Sequence, residues 1–309
     1  MRARAVAHAN IALVKYWGKR DERLILPEAG SLSVALDALA TTTTVEMADR
    51  DEFILDGRPA DGGRVRALLE AAGIRAPARV ESRNSFPTAA GLASSASGFA
   101  ALAVAANAVA GMKRGPRELS ALARLGSGSA ARSVPGGWAV WEGEWAESIA
   151  PPDHWDVRFV VALFAAGPKA VGSRDGMRSC QRTSPYHAAF VESCRLDLPV
   201  AVEMVRSRDL DGLGALAERN ALRMHADALG ADPPLLYWEP ATVACLRRVQ
   251  SLRAQGVPAW ATIDAGPHLV AMCAAGQAGM VESALREVGG VRDVIACSPA
   301  GGARILEVS

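Results

Sequence analysis

The sequence predicts a two-domain protein of mixed α and β structure: an N-terminal α/β domain over residues 1–166 and a C-terminal α+β domain over residues 167–309. Three observations predict it. The chain has 309 residues, half of them hydrophobic, which is apolar material enough for two domains or one large one. Residues 79–111 read in succession as a strand, a loop and a helix. From about residue 167 the texture changes to a run of helices, and the last quarter mixes strands with a further helix, the pattern of an α+β domain.

Each element has its own justification. Residues 3–17 form a strand-like apolar run ending at Gly18. Residues 31–47 carry β-branched threonines that favour sheet. The segment VEMADRDEFILDG reads as a hairpin around Asp51 and Gly57. Residues 62–75 fit an amphipathic helix with Val65, Leu68, Leu69 and Ile74 on one side. A short strand at 79–83 feeds the stretch FPTAAGLASSASGFAALAVAANAVAG, in which Ser94 and Ser95 sit where a loop should turn into a helix. Serine is a preferred N-cap, and a helix start presents unpaired N–H groups and the positive end of the helix dipole. The stretch reads either as a phosphate-cradling loop before a buried helix or as an ordinary capped, alanine-rich helix. A helix at 116–125 and strands at 137–142 and 157–164 follow. The segment GPKAVGSRDGM reads as a basic loop. Helices are predicted near 185–206, 208–228 and 239–255, a strand–turn–strand over VPAWATIDAGPHLVAMC, a helix at 276–288 and a final strand at 303–308.

Bulk properties remove several function classes. Thirty-four basic residues stand against 33 acidic ones, for a net charge of +1. That excludes a protein that coats nucleic acid but leaves room for a local basic pocket. The five cysteines, Cys180, Cys194, Cys245, Cys273 and Cys297, contain no CxxC spacing, so reduced thiols and no zinc site are expected. The N-terminus lacks the apolar core of a leader, and no apolar run reaches the roughly 18–20 residues of a membrane span. A cytoplasmic protein with no membrane partner is the expectation.

Three further segments each admit two readings. Lys15, Tyr16, Lys19 and Arg20 form either a solvated turn or a cation cluster with a phenol, suited to an oligophosphate. The segment RLGSGSAARS is either a plain Gly/Ser turn or a loop presenting the planar fork of Arg132 to a carboxylate or phosphate. Asp264, at the close of an apolar strand before Ala-Gly-Pro, is either a turn former or a functional acid.

Taken together, these segments resemble a known family. Pro87-Thr88-Ala89-Ala90-Gly91-Leu92-Ala93-Ser94-Ser95-Ala96 resembles the P-x-x-x-G-L-x-S-S-A phosphate motif of the GHMP kinase superfamily. More narrowly, NIALVKYWGKRDE, FPTAAGLASSAS, RLGSGSAARS, NALRMHADALGADPP and IDAGP resemble blocks of the diphosphomevalonate decarboxylases, in family order from the first strand to the last quarter. The resemblance implies the GHMP fold, with an N-terminal ribosomal S5 domain 2-like domain and a C-terminal ferredoxin-like domain around a cleft. It implies ATP and Mg²⁺, mevalonate diphosphate as substrate, phosphorylation of the 3-hydroxyl, and then loss of phosphate and carbon dioxide. It implies a homodimer as a frequent assembly.

Residue by residue, the resemblance implies that Asp264 is the catalytic aspartate, that Arg132 grips the C1 carboxylate and that Lys19 and Tyr16 contact the diphosphate. Lys15 adds to the positive field, and Asn10 helps place Lys15 or Lys19. Ser127, Ser129 and Ser184 lie on the substrate side. Pro87, Ala90, Gly91, Leu92, Ala93, Ser94 and Ser95 lie at the nucleotide. Mg²⁺ should bridge phosphates with few protein ligands, so no metal ligand is assigned. The sequence departs from the family at His268, at Glu28-Ala29-Gly30 and at Pro185, where relatives carry arginine after the serine matched by Ser184. The last departure points to a substrate with one phosphate as an alternative. A mevalonate-type kinase that stops at phosphorylation is a second.

Overall fold

A computed structural model describes residues 1–86, 94–164 and 170–309. The first sheet has eight strands. Its centre is the antiparallel pair Arg2–Val14 and Ser31–Met47, paired from Arg2 opposite Glu46 to Val14 opposite Leu32, with register shifts between His8 and Asn10 and between Ala12 and Val14. From Leu39 to Val45 burial alternates residue by residue, as expected where one face meets the core and the other meets solvent. The near-continuous apolar runs at 9–14 and 31–36 are buried on both faces, because the second half of the chain covers the face left open elsewhere.

The inner face takes the helix Ser94–Val109, buried nearly all round. Its alanines let the backbone lie close to the sheet, and the helices Gly63–Ala72 and Pro116–Gly126 pack outside it. The expectation of a buried helix beginning at Ser94 holds. The expected hairpin at 45–57 is different. Glu52–Leu55 pairs with Arg58–Pro59 and runs parallel to Ala78–Asn84 rather than folding back on Ser31–Met47. The turn is at Asp56-Gly57, where both residues have positive φ (49° and 77°), the geometry two-residue hairpins prefer.

The second sheet is fully antiparallel, in the order Ala259–Ile263, Leu269–Ala274, Val157–Phe164, Val291–Cys297. Val160, Ala162 and Phe164 face the helices Pro240–Ala254 and Ala278–Arg286. Phe159, Val161 and Leu163 face the helices His187–Ser207 and Leu210–Leu229, and through them the first sheet. Val157–Phe164, which precedes the expected boundary at 166, thus belongs to the second sheet. The last strand, Arg304–Val308, returns to the first, with Val308 opposite Ala3.

Among the elements not foreseen, two bear on the fold and the site. Val291–Cys297 is a strand, and GPKAVGSRDGM is not all loop: Ser173–Thr183 is a helix. That helix is polar and buries only Gly176, Met177 and Cys180, so it lacks an apolar stripe to announce it. Tertiary contact holds it instead. A Cβ on Gly176 would lie 2.2 Å from the Tyr237 hydroxyl and 3.1 Å from the Trp17 ring, so only glycine lets the helix close on both. Among the described residues no helix is long and apolar enough to cross a membrane, and all five cysteines are free and buried.

Candidate active site

The strand Arg2–Val14 ends at the junction of the two halves, and the loop 15–19 opens into a cavity of about 550 Å³. Asn10, Lys15, Tyr16, Lys19, Ser94, Ser95, Ser127, Ser129, Arg132 and Asp264, all singled out from the sequence, line it. Pro87, Ala90, Gly91, Leu92 and Ala93 lie outside the described residues.

Lys15 and Asp264 form the centre of the wall. The Lys15 ammonium, 2 % exposed, donates to Asp264 Oδ1 at 2.6 Å and to the Ala12 carbonyl at 2.8 Å. Burial pulls its pKa below the ordinary value, with Asp264 opposing. Two of its three N–H groups are engaged, leaving one for a ligand. The Lys15 main-chain N–H donates to Asn220 Oδ1 at 2.9 Å, so the helix Leu210–Leu229 fixes the loop from beneath.

Arg132 is buried beside them. Its Nη1 donates to Ser31 Oγ, and its Nε and Nη2 both reach Asn10 Oδ1 at 3.4 Å. Three of the five N–H groups are thereby directed, and two remain for a carboxylate. Burial pushes its pKa down to about 10, with Asp264 and Tyr16 opposing. It stays charged at neutral pH.

Tyr16 lies against the Trp141 ring, centroids 4.7 Å apart. Its buried hydroxyl has no hydrogen-bond partner among the described residues. Gly128 makes its position available, since a Cβ there would lie 2.7 Å from the hydroxyl. Lys19 Nζ donates to Glu22 at 2.9 Å. The Ser95 and Ser127 hydroxyls, and the Ser127 and Ser129 hydroxyls, lie 3.3 Å apart. Ser94 and Ser95 form the first turn of the helix Ser94–Val109.

Three expectations are corrected. Asn10 does not place Lys15 or Lys19. Its amide donates to the Ser129 carbonyl at 3.1 Å and to Ser133 Oγ at 2.7 Å, while its oxygen faces Arg132. It therefore orients the arginine. Ser184 does not line the cavity. It follows the helix Ser173–Thr183 and accepts the Tyr186 N–H at 3.3 Å. From that helix it is Ser173 and Arg174, at its start, that line the cavity. Pro185 therefore carries no information about the phosphate end. Ser173 and Arg174 were missed, together with Arg64, which lies 5.1 Å from the Phe99 ring centroid. The available signal was Gly-Ser-Arg-Asp, with a small residue and an acid placed as a helix start. His268, another of the departures, turns away and accepts the Phe164 N–H at 3.2 Å.

Residues 7–150 match the diphosphomevalonate decarboxylase-like N-terminal domain, and residues 159–298 match the mevalonate 5-diphosphate decarboxylase C-terminal domain. The chain belongs to the diphosphomevalonate decarboxylase family. It is 37 % identical to the diphosphomevalonate decarboxylase of Aspergillus fumigatus over 87 % of this chain and 76 % of that one. It is 36 % identical to the Homo sapiens protein, over 85 % and 74 %. Among solved structures it is similar to MDDEF in complex with MVAPP, AMPPCP and magnesium, with TM-score 0.93 at 38 % identity over 100 % of this chain and 99 % of that one. The mevalonate diphosphate decarboxylase of Staphylococcus aureus gives TM-score 0.92 at 36 % identity, over 99 % and 98 %. The two-domain fold expected from the resemblance is thus the fold of the decarboxylase family.

Metal chemistry is bounded by the donor set. Among the described residues no three His, Cys, Asp or Glu side chains gather to hold an ion. What the decarboxylase cavity offers near the serines is hydroxyl oxygen, which fits a Mg²⁺ held chiefly by phosphate oxygens.

Proposed function

We propose that this chain phosphorylates the 3-hydroxyl of mevalonate 5-diphosphate with ATP, then releases phosphate and carbon dioxide to give isopentenyl diphosphate. The observation that carries this reading is one wall holding both a directed carboxylate and a directed guanidinium: Asp264, held by Lys15 at 2.6 Å, and Arg132, held by Asn10 and Ser31 with two N–H groups spare.

The division of labour follows. Asp264 orients the tertiary hydroxyl and takes its proton as the oxygen attacks the terminal phosphorus. Lys15 holds Asp264 in place and offers its third N–H to the reacting oxygens. Arg132 holds the C1 carboxylate so that the C1–C2 bond aligns with the orbital emptying at C3 as the phosphorylated oxygen leaves. That bond's electron pair then forms the C2–C3 double bond. Lys19 and Tyr16 take the diphosphate, and Tyr16 supplies a hydroxyl without another partner among the described residues. Ser94 and Ser95, with the helix behind them, suit the phosphates of ATP, with Arg64 adding positive charge. Mg²⁺, when bound with ATP, neutralises phosphate charge.

The two-phosphate substrate is favoured because Ser173 and Arg174 join Lys19 and Tyr16 on the cavity wall. The reading also takes the enzyme as cytoplasmic and homodimeric, the latter testable by light scattering. The deciding experiment follows ADP and carbon dioxide with ATP and either mevalonate diphosphate or the monophosphate. Equal yields of both products with the diphosphate are expected. ADP without carbon dioxide would refute decarboxylation.

A further inference from the structure

Behind Lys19, away from the cavity, runs a chain of polar contacts that the reaction itself does not use. Gln181 meets the Lys19 peptide twice. Its Oε1 accepts the Lys19 N–H at 3.1 Å, and its Nε2 donates to the Lys19 carbonyl at 2.8 Å. The same amide donates to Glu28 Oε2 at 2.8 Å. Glu28 Oε2 also faces His187 Nε2 at 3.1 Å, and His187 Nδ1 faces Asp227 Oδ2 at 2.8 Å. The Glu28 main-chain N–H donates to the Gly18 carbonyl at 3.2 Å. Three regions of the chain, 18–28, 181–187 and 227, are therefore linked through these contacts to one backbone unit.

The position of Gln181 gives this chain its meaning. It lies in the helix whose first turn carries Ser173 and Arg174 into the cavity. That helix and the Lys19 strand contribute cations and hydroxyls to the same end of the cavity. A side chain that grips the Lys19 backbone from this helix fixes the two groups relative to one another. His187 is 7 % exposed and Asp227 is fully buried, so the far end is anchored in the core rather than in solvent. Gly18 completes the fit: it has φ +141°, and a Cβ there would lie 2.8 Å from Glu28 Oε2 and 3.2 Å from His187 Nε2.

We propose that Gln181, supported by Glu28, His187 and Asp227, is a positioning residue that registers Lys19 against Ser173 and Arg174 and so sets affinity for the phosphate end of the substrate. This rests on the reading of Lys19 as a phosphate ligand. None of the four is expected to touch the reacting atoms, so the effect falls on substrate binding rather than on the chemical step.

The test is steady-state kinetics of Gln181→Met, which keeps the length of the side chain and removes its amide. KM for mevalonate diphosphate should rise about tenfold, with kcat and the KM for ATP within about twofold of wild type. Lys19→Ala should raise the same KM, and Gln181→Met should add little in that background, because both act through one contact. Should Gln181→Met fail to fold, Gln181→Glu serves: its carboxylate opposes Glu28 and cannot donate to the Lys19 carbonyl, so the KM should rise, and Gln181→Glu/Glu28→Gln should recover only the part due to the charge opposition. An unchanged KM in Gln181→Met, or an equal movement of kcat and of the KM for ATP, overturns the positioning role. So does an undiminished effect in the Lys19→Ala background, or an unchanged KM in Gln181→Glu. If Lys19→Ala raises KM and Gln181→Met does not, only the positioning role falls. If Lys19→Ala leaves KM unchanged, the assignment of Lys19 falls and the positioning role with it.

Discussion

Asp264→Ala separates the catalytic from the structural role of the Lys15–Asp264 pair. The variant leaves an ammonium that is 2 % exposed without the carboxylate 2.6 Å away. Ala12 still accepts one N–H, but no opposite charge replaces Asp264 on that atom. The fold then either keeps a buried charge or sheds the proton. Shedding it sets an upper limit: from the ordinary lysine value of 10.5 down to pH 7 is 3.5 pH units, or about 4.8 kcal/mol at about 1.36 kcal/mol per unit. Partial exposure of Asp264, 29 % for its side chain, places the actual loss below this limit. The sign of the pH dependence is fixed. A lysine whose folded pKa lies below its unfolded one binds fewer protons folded, so stability rises with pH up to 10.5. Between pH 7 and 9 Asp264→Ala should therefore recover stability, by at most about 2.7 kcal/mol. Lys15→Met/Asp264→Ala, with no buried charge, should be more stable than the single variant at pH 7 and lack the recovery. Urea denaturation at the two pH values measures both. Turnover of Asp264→Ala should fall by about 10²–10⁴-fold while ATP binding, measured calorimetrically, stays near wild type. Equal pH dependence in the single and double variants would refute the argument, and near-normal turnover would remove Asp264 from the chemistry.

Other predictions follow from single groups. Arg132→Lys keeps the charge but loses the fork that reaches Ser31, Asn10 and a carboxylate together, so kcat measured by carbon dioxide release should fall about 10²-fold or more. Tyr16→Phe removes a buried hydroxyl without a partner among the described residues. Stability by thermal melting should hold or rise by about 1 kcal/mol, while KM for mevalonate diphosphate rises. His187 is pulled down by burial but raised overall by Asp227 and Glu28. Its protonated form therefore stabilises the fold below the ordinary value of 6.5, and that contribution is lost as pH rises through the higher folded value. Denaturation of wild type against His187→Gln across pH 6–9 should show this slope in wild type only.

How far the sequence revealed this site depended on the kind of contact. Asp264 and Arg132 could be singled out because an acid before Ala-Gly-Pro and an arginine in a Gly/Ser loop are local signals. Their environment could not. Lys15 and Asp264 are 249 positions apart, and only the crossing of the chain between the two sheets brings them to 2.6 Å. Ser173 and Arg174 were hidden because their helix buries three residues and owes its place to Trp17 and Tyr237, not to its own periodicity. Ser184 was named by the family resemblance, and it follows the helix whose first turn reaches the cavity. The buried helix at Ser94, by contrast, announced itself, since only a wholly enclosed helix tolerates so unbroken an apolar run. The Glu28–His187–Asp227 chain spans separations of 159 and 40 residues, beyond the reach of any local pattern.

A net charge of +1 is compatible with a polyanion site because the cations are concentrated and individually restrained. Lys15 faces Asp264, Lys19 faces Glu22, and Arg132 faces neutral oxygens of Ser31 and Asn10. Each pairing makes burial of the charge tolerable, yet each uses only part of the group's donors. Had Arg132 been paired with a carboxylate of its own, its two spare N–H groups would have been taken and its field cancelled. Neutral partners orient a guanidinium without consuming its charge, and that is the arrangement a carboxylate-binding arginine needs. The folded protein bears the resulting desolvation, visible in the lowered pKa values of Lys15 and Arg132. An anionic ligand relieves it on binding. The same groups that weaken the free fold are therefore those that give the site its affinity.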